Sequence, residues 1–370
     1  MDGRDITRAA LLLPFSSDNA GARAEAINLL NAAQLALFEH GNAGLILIPK
    51  DTGGTAAGAR QATEAAIRDG ADIILGPLFG AAARAAGDAA RPYDVPVVAF
   101  STDANAAGNG VYLLSFPPEL EVARVAEFAS RRGVSRFAYL GPTGRYGRSV
   151  SEALSNNARM TGGSLVAEES YTGGVEAMTS AAARLARLGV ESVDAMDAFE
   201  LQERNDWTAS EGSPFQAVIL PEGGVRLRML APLLPYHDVD PLIVKFLGTG
   251  LWNDPETVRE PALRGGWFAG PDQEARDQFS QAFVTAYGDE PSRIASHAYD
   301  AVLLTLHLAS GRDGFSQRAV ESPDGYLGAD GLFRFASDGR IQRGLAIYEV
   351  HPSGFRTIDP APRSFDLEGL

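Results

Sequence analysis

One unit, repeated along the chain, constrains this sequence most. It consists of a short apolar run rich in β-branched residues, a polar turn bearing Gly or Pro, and an Ala-rich stretch with helical character. Its clearest copy is Ala71-Asp72-Ile73-Ile74-Leu75-Gly76-Pro77-Leu78-Phe79-Gly80, which leads into a long Ala/Arg segment. A run this apolar reads as a strand buried on both faces. Gly-Pro ends it, because proline lacks a backbone N–H and fixes φ, and the following residues open a helix. In an open α/β sheet, ligands are held at the carboxyl ends of such strands.

Further strands are expected at residues 6–13, 44–49, 95–100, 111–116, 136–140, 164–171, 215–220, 242–247 and 266–269. Helical stretches of 12 to 18 residues separate most of them, which means βαβ units and parallel sheets. Between 136–140 and the helix expected from Arg148 lies a predicted loop, residues 141–147. The tail is different in kind. Residues 332–335, the turn Asp338-Gly339 and residues 345–350 predict an antiparallel hairpin. The pattern restarts after Pro117-Pro118 and again near Gly248, so a chain of 370 residues is expected to cross between two lobes. Lobe one is predicted as 1–116 plus 249–327, and lobe two as 117–248 plus 328–370.

Charge and composition exclude several functions. A net charge of -15 argues against a nucleic-acid partner, since phosphate binding needs basic surface. There is no cysteine, which excludes disulfides, Cys-ligated zinc and thiol catalysis. No run of 18 apolar residues suggests a membrane span. The start, Met1-Asp2-Gly3-Arg4-Asp5, is polar and shows no signal peptide. It fits either a cytoplasmic protein or a mature periplasmic chain whose leader or lipid anchor has been removed.

Catalytic signatures are missing: no phosphate loop GxxxxGK[ST], no HExxH helix and no GxSxG elbow. Gly248-Thr249-Gly250-Leu251-Trp252-Asn253 begins like GxGxxG but ends in Asn253, and reads as a hinge or crossover turn. His297 and His307 fall on one helix about 15 Å apart and cannot share a metal. The stretch 191–213, with Asp194, Asp197, Glu200 and Glu203 at helical spacing, reads as a solvated insertion. The expectation is no enzyme, no cofactor and no metal.

What recurs is a polar loop at the end of strand after strand. Ser16, Asp51, the Gly76-Pro77-Leu78-Phe79 turn, Ser101, Thr102, Tyr146, Glu222, Gly223, Thr249 and Gly250 are the candidate ligand-binding residues. Hydroxyls, backbone N–H groups and helix N-termini gathered there suit a small polar, anionic or zwitterionic solute.

Over essentially its whole length this arrangement resembles the type I periplasmic-binding-protein fold of the leucine/isoleucine/valine-binding kind. The resemblance implies an α/β architecture of two lobes, each a mainly parallel sheet flanked by helices, with three crossover strands at the hinge. It also implies a solute held between the lobes. Residues 73–78 resemble the family's strand-to-GP turn, Phe100-Ser101-Thr102 its carboxylate-gripping S-x-T segment, and Arg145-Tyr146-Gly147 its D-Y-G loop. Two positions depart. Gly80 or Ala81 stands near a serine of the family, and Thr249-Gly250-Leu251 stands where amino-acid binders carry an acid for the ligand ammonium. A buried ammonium without that partner would be costly.

Other stretches are similar to the penicillin-binding-protein activator family: residues 11–16, 223–228, 282–288 and 331–354. The function expected is therefore a non-catalytic envelope receptor for a small solute, partnered by an ABC permease. The alternative is a lipoprotein that activates a peptidoglycan synthase by contact, in which case residues 191–213, Arg226, Arg228 and Arg264 are candidate contact surface.

Overall fold

The structure is a computed structural model and describes residues 6–41, 44–188 and 214–365. It comprises two compact units. Unit 1 takes residues 1–116, 272–344 and 362–370, and unit 2 takes 117–271 and 345–361.

Unit 1 begins with β1 (Thr7–Leu13), α1 (Ala20–His40), β2 (Leu45–Asp51), α2 (Ala56–Arg68), β3 (Ile73–Leu75), α3 (Gly80–Ala90), β4 (Val97–Ala99) and β5 (Val111–Leu113). These strands form a parallel sheet in the order β2-β1-β3-β4-β5. Helices start where side chains replace missing intrahelical partners. The Asn19 side chain accepts from Ala22 N–H, and that of Thr55 from Gly58 N–H. On one face Ala62, Ala66, Ala83, Ala86 and Ala90 let α2 and α3 close onto Ala10, Leu12, Ile74 and Val97. Small side chains permit this close approach, and the apolar surface so removed from water supplies the driving force.

Unit 2 runs α4 (Pro118–Ser130), β6 (Arg136–Pro142), α5 (Arg145–Met160), β7 (Ser164–Tyr171), α6 (Val175–Ala186), β8 (Ala217–Ile219), α7 (Gly224–Leu230), α8 (Leu233–Tyr236), β9 (Lys245–Gly248) and β10 (Trp267–Gly270). The chain then returns to unit 1 with α9 (Gln273–Tyr287), α10 (Ala295–Ser310), α11 (Gln317–Val320), β11 (Tyr326–Gly328), β12 (Gly331–Phe335) and β13 (Ile341–Arg343). Unit 2 is completed by β14 (Ala346–His351) and β15 (Gly354–Asp359). Its sheet reads β15-β14-β10-β9-β8-β6-β7, with β14 antiparallel to both β10 and β15. Its core includes the aromatic side chains Phe215, Phe246, Trp252, Phe268 and Tyr348.

Stripped of β14 and β15, the unit 2 order β7-β6-β8-β9-β10 repeats that of unit 1 strand for strand. In both, the order reverses between the first and third strands, at β1/β3 and at β6/β8. Such a reversal leaves a crevice at the carboxyl ends of the strands.

Three sequence expectations differ from the structure. The second crossing falls after Pro271 and the third after Gly344, where 248 and 327 were expected. Segment 249–271 stays in unit 2 because β10 pairs with β9 and with β14. Segment 328–344 stays in unit 1 because β12 pairs with β11 and β13, and residues 362–370 return there too. The tail hairpin is β12–β13 around the Asp338-Gly339 turn, while residues 346–351 pair elsewhere. Finally, α5 begins at Arg145, so Tyr146 sits in a first helical turn rather than a loop. The acidic stretch 191–213 lies outside the described residues.

Candidate functional site

In unit 1 the candidate residues end adjacent strands. Ser16 N–H and Gly53 N–H both donate to Asp51 Oδ1, at 3.1 and 2.9 Å. Burial pushes this carboxyl up, but hydrogen bonds from the Ser16 hydroxyl and from the backbone N–H groups of Gly53, Ser16 and Phe15 outweigh it. Asp51 is held below the usual carboxylate range. The β1 and β2 loops are thus one hydrogen-bonded layer, joined also by Thr52 N–H to Leu13 C=O.

The β3 loop lies beside them. Gly76 has φ of 87°, and a Cβ there would stand 2.3 Å from Leu12 C=O, so only glycine fits against β1. Pro77 C=O accepts from Phe100 N–H at 3.0 Å, which fixes the turn to β4. Pro77 is buried and Leu78 half-buried, whereas the Phe79 ring is exposed and lies beside Gly54. Ser101 is buried, its Oγ accepting from Asp103 N–H at 3.1 Å, and Thr102 is exposed.

In unit 2 the residues of three strand ends also meet. The Tyr146 hydroxyl is 3.0 Å from Thr249 Oγ1, tying the start of α5 to the loop after β9. Gly223 lies so close to Leu251 C=O that an added Cβ would be 3.0 Å from it, which joins the β8 and β9 loops. Glu222 is buried, and its Oε1 accepts from Tyr171 O–H at 2.9 Å and from Arg226 Nε at 3.0 Å. Burial, then the neighbouring Glu222 charge, raises the Tyr171 hydroxyl well above its ordinary pKa. It therefore stays a donor at any physiological pH.

Thr249 and Gly250 open a short 3₁₀ turn, and Gly250 N–H donates to Glu121 Oε2 at 2.8 Å. A carboxylate does stand at this loop, therefore, supplied by α4 rather than by the loop itself. A Cβ on Gly250 would be 2.4 Å from Glu121 Oε1, so glycine is what makes room for it.

Glu121, Tyr171 and Asp103 are residues that sequence reasoning missed. Tyr171 had a signal, since it closes a strand like the other candidates. Glu121 had none, because it reaches Gly250 across 129 positions of sequence. Among the described residues no group of three or more His, Asp or Glu is placed to hold a metal, and no helix is long and apolar enough to cross a membrane.

Two α/β units with the same strand order, each presenting polar loops at its reversal point, define a ligand-binding architecture. The chain belongs to the periplasmic binding protein family, whose model matches residues 7–200. No curated protein sequence matches it. Solved structures share the fold along nearly the whole chain. A putative branched-chain amino acid ABC transporter protein from Rhodospirillum rubrum superposes with a TM-score of 0.75 at 20% identity, covering 95% of this chain and 100% of that one. A branched-chain amino acid transporter substrate-binding protein from Streptococcus pneumoniae, in complex with isoleucine, gives 0.57 at 16% identity, covering 96% and 100%. A solute-binding protein from Rhodopseudomonas palustris, in complex with 3,4-dihydroxybenzoic acid, gives 0.60 at 16% identity, covering 97% and 99%.

Proposed function

We propose that the chain is the non-catalytic, periplasmic solute-binding component of an ABC transport or sensing system. One observation carries this reading: two units of one strand order, each with hydroxyl, carboxylate and backbone N–H groups gathered at its reversal point. Unit 1 contributes Ser16, Asp51, the 76–79 turn, Ser101 and Thr102. Unit 2 contributes Tyr146, Glu222, Gly223, Thr249 and Gly250. A permease is the natural partner of such a receptor, and binding acts by shifting the population of its conformations. Solutes as different as isoleucine and 3,4-dihydroxybenzoic acid occupy proteins of this fold, so the fold leaves the chemical class open.

A thermal-shift screen of the purified chain tests the reading, with amino acids, small carboxylates, amines and peptidoglycan fragments as the panel. A solute at a hundred times its Kd should stabilise by about 2.7 kcal/mol, a shift of several degrees. Ser101→Ala and Tyr146→Phe should each reduce the shift. No response to any solute, combined with stimulation of a peptidoglycan synthase by the purified chain, would replace this reading with that of a contact activator.

A further inference from the structure

Unit 1 holds a cavity apart from the strand-end loops on which the solute-binding reading rests. Its volume is about 300 Å³, and its walls include Leu303 and Leu304 of α10, Tyr326 of β11, Phe333 of β12, and His40. Such a volume is enough for a small molecule. His40 is the last residue of α1, roughly 30 Å by helix rise from Asn19, which caps its start beside the Ser16 loop. Leucine side chains and aromatic rings make up most of the wall, and Asp300 is the acid among them.

Asp300 is wholly buried. Its carboxyl sits against Gly328 at the end of β11, where an added Cβ would stand 2.6 Å from Oδ2, so glycine makes room for it. Oδ1 accepts from Ala329 N–H at 2.6 Å. Oδ2 has no hydrogen-bond partner among the described residues. The charged neighbours are spent on other groups: Arg276 pairs with Asp330 at 2.7 Å, and Arg343 Nε donates to Ser115 C=O at 2.8 Å. A buried carboxyl oxygen left without a partner bears its full desolvation cost, which a ligand can relieve.

Burial first, and then the Asp330 charge, push this carboxyl up to about 8, in keeping with a proton on it at neutral pH. With Oδ1 already accepting, the proton belongs on Oδ2, and the acid is a donor in want of an acceptor. An acid kept neutral by an apolar site is suited to donate to a carbonyl oxygen. Ions fit the cavity less well. An anion would lose its hydration among leucines near the ionised Asp330, and an ammonium would require Asp300 to release the proton that burial keeps there. A water alone would satisfy Oδ2 but leave the leucine and ring surface unfilled.

We propose that this cavity is a second binding site, for a small uncharged molecule that is apolar apart from one carbonyl oxygen, which accepts from Asp300 Oδ2. The site is independent of the strand-end loops and of whatever solute they hold.

NMR titration of the full chain with acetophenone tests this, with ethylbenzene as the analogue lacking the oxygen and benzoate as the charged one. Acetophenone should bind about tenfold or more tightly than ethylbenzene, the equivalent of about 1.4 kcal/mol, and benzoate should not displace it. Leu303→Trp, which fills the cavity, should abolish acetophenone binding. Asp300→Asn retains an N–H donor and should keep the preference for acetophenone, whereas Asp300→Leu should erase it. Circular dichroism verifies that the variants fold, and the comparison of the three molecules on the parent chain requires no variant. Equal binding of ethylbenzene, or displacement by benzoate, would overturn the role given to Asp300. Acetophenone binding that survives in folded Leu303→Trp would overturn the site itself. Absence of acetophenone binding would leave the cavity to water and overturn the proposal, while the solute receptor is judged separately by its thermal-shift screen.

Discussion

His297 shows what a single buried polar side chain does to a unit otherwise held by apolar packing. It lies on α10, 1% exposed, with its ring stacked on Phe116 and tilted against Phe100. Neither ring nitrogen has a hydrogen-bond partner. Burial first, and then the charge of Arg343, push its pKa down to about 3 from 6.5. The imidazole is therefore neutral in the fold but takes a proton in the unfolded chain below pH 6.5. Stability should fall as pH drops from 6.5 towards 3, because the unfolded state then binds the extra proton. Urea unfolding across this range should show a shallower loss for His297→Phe than for the parent chain. An equal loss would assign the acid sensitivity to other groups.

Asp300, one turn further along α10 and wholly buried, acts with the opposite sign. Its Oδ1 accepts from Ala329 N–H at 2.6 Å. Burial, and then the charge of Asp330, raise its carboxyl, whereas Asp330 itself is held ionised by Arg276 at 2.7 Å. The folded protein keeps a proton on Asp300 that the unfolded chain releases, so stability should decline as pH rises above the ordinary carboxyl range. Asp300→Asn mimics the protonated acid and should gain at least about 1 kcal/mol over the parent chain at neutral pH, measured by urea unfolding. No gain would mean that Asp300 is ionised in the fold.

Neither effect is legible in the sequence. His297 reads there only as one of five scattered histidines. Its burial depends on Phe100 and Phe116, which are brought to it by strands some two hundred residues away. The same reason hid Glu121, which reaches Gly250 from α4. Residues that end an apolar run can be picked out locally, but residues that reach such an end from another element cannot.

At the level of elements, the apolar runs made the strands visible, while pairing and exact helix starts depended on geometry between elements. The β6–α5 junction is the clearest case. Arg145-Tyr146-Gly147 has no strong helical signal, yet the helix begins there because Gly144, at φ of 102°, turns the chain and Gly147 packs against β6. A Cβ on Gly147 would lie 1.8 Å from Pro142 C=O and 2.7 Å from the Tyr139 hydroxyl, which itself donates to Pro142 C=O. Gly147→Ala should therefore cost about 1–3 kcal/mol, the range for overpacking a tight contact. It should also draw Tyr146 away from Thr249 and weaken solute binding. Denaturant unfolding and calorimetry on the variant test both parts, and an unchanged midpoint would show that the junction yields freely. The tail hairpin taught the same lesson for strands. An apolar run after a polar turn marked residues 345–350 as β-structure, but nothing local says that β14 pairs with β10, which ends 76 positions before it begins.

At the level of the whole molecule, the chain leaves or re-enters unit 1 after residues 116, 271, 344 and 361, so neither unit is a continuous stretch. Unit 1 depends on this. The buried face of α1 (Leu29, Ala32, Ala33, Ala36) belongs to the first segment, but α10, against which α1 packs, belongs to the second. The two are tied by Tyr299 O–H to Glu39 at 2.8 Å and, from the end of α9, by Tyr287 O–H to Asn31 C=O at 2.8 Å. Residues 1–116 on their own would keep the five-stranded sheet and the α2/α3 layer but bare its other side to water. That exposes the apolar surface which offsets the entropy of ordering the chain. The fragment 1–116 should therefore unfold without a cooperative transition, giving a shallow urea profile with a small m-value. Mixing it with a second fragment, residues 272–365, should restore part of the cooperativity by rebuilding the α1/α10 contact. A sharp two-state transition from 1–116 alone, with the slope proper to its length, would show that the second segment is an addition to unit 1 and not one of its structural layers.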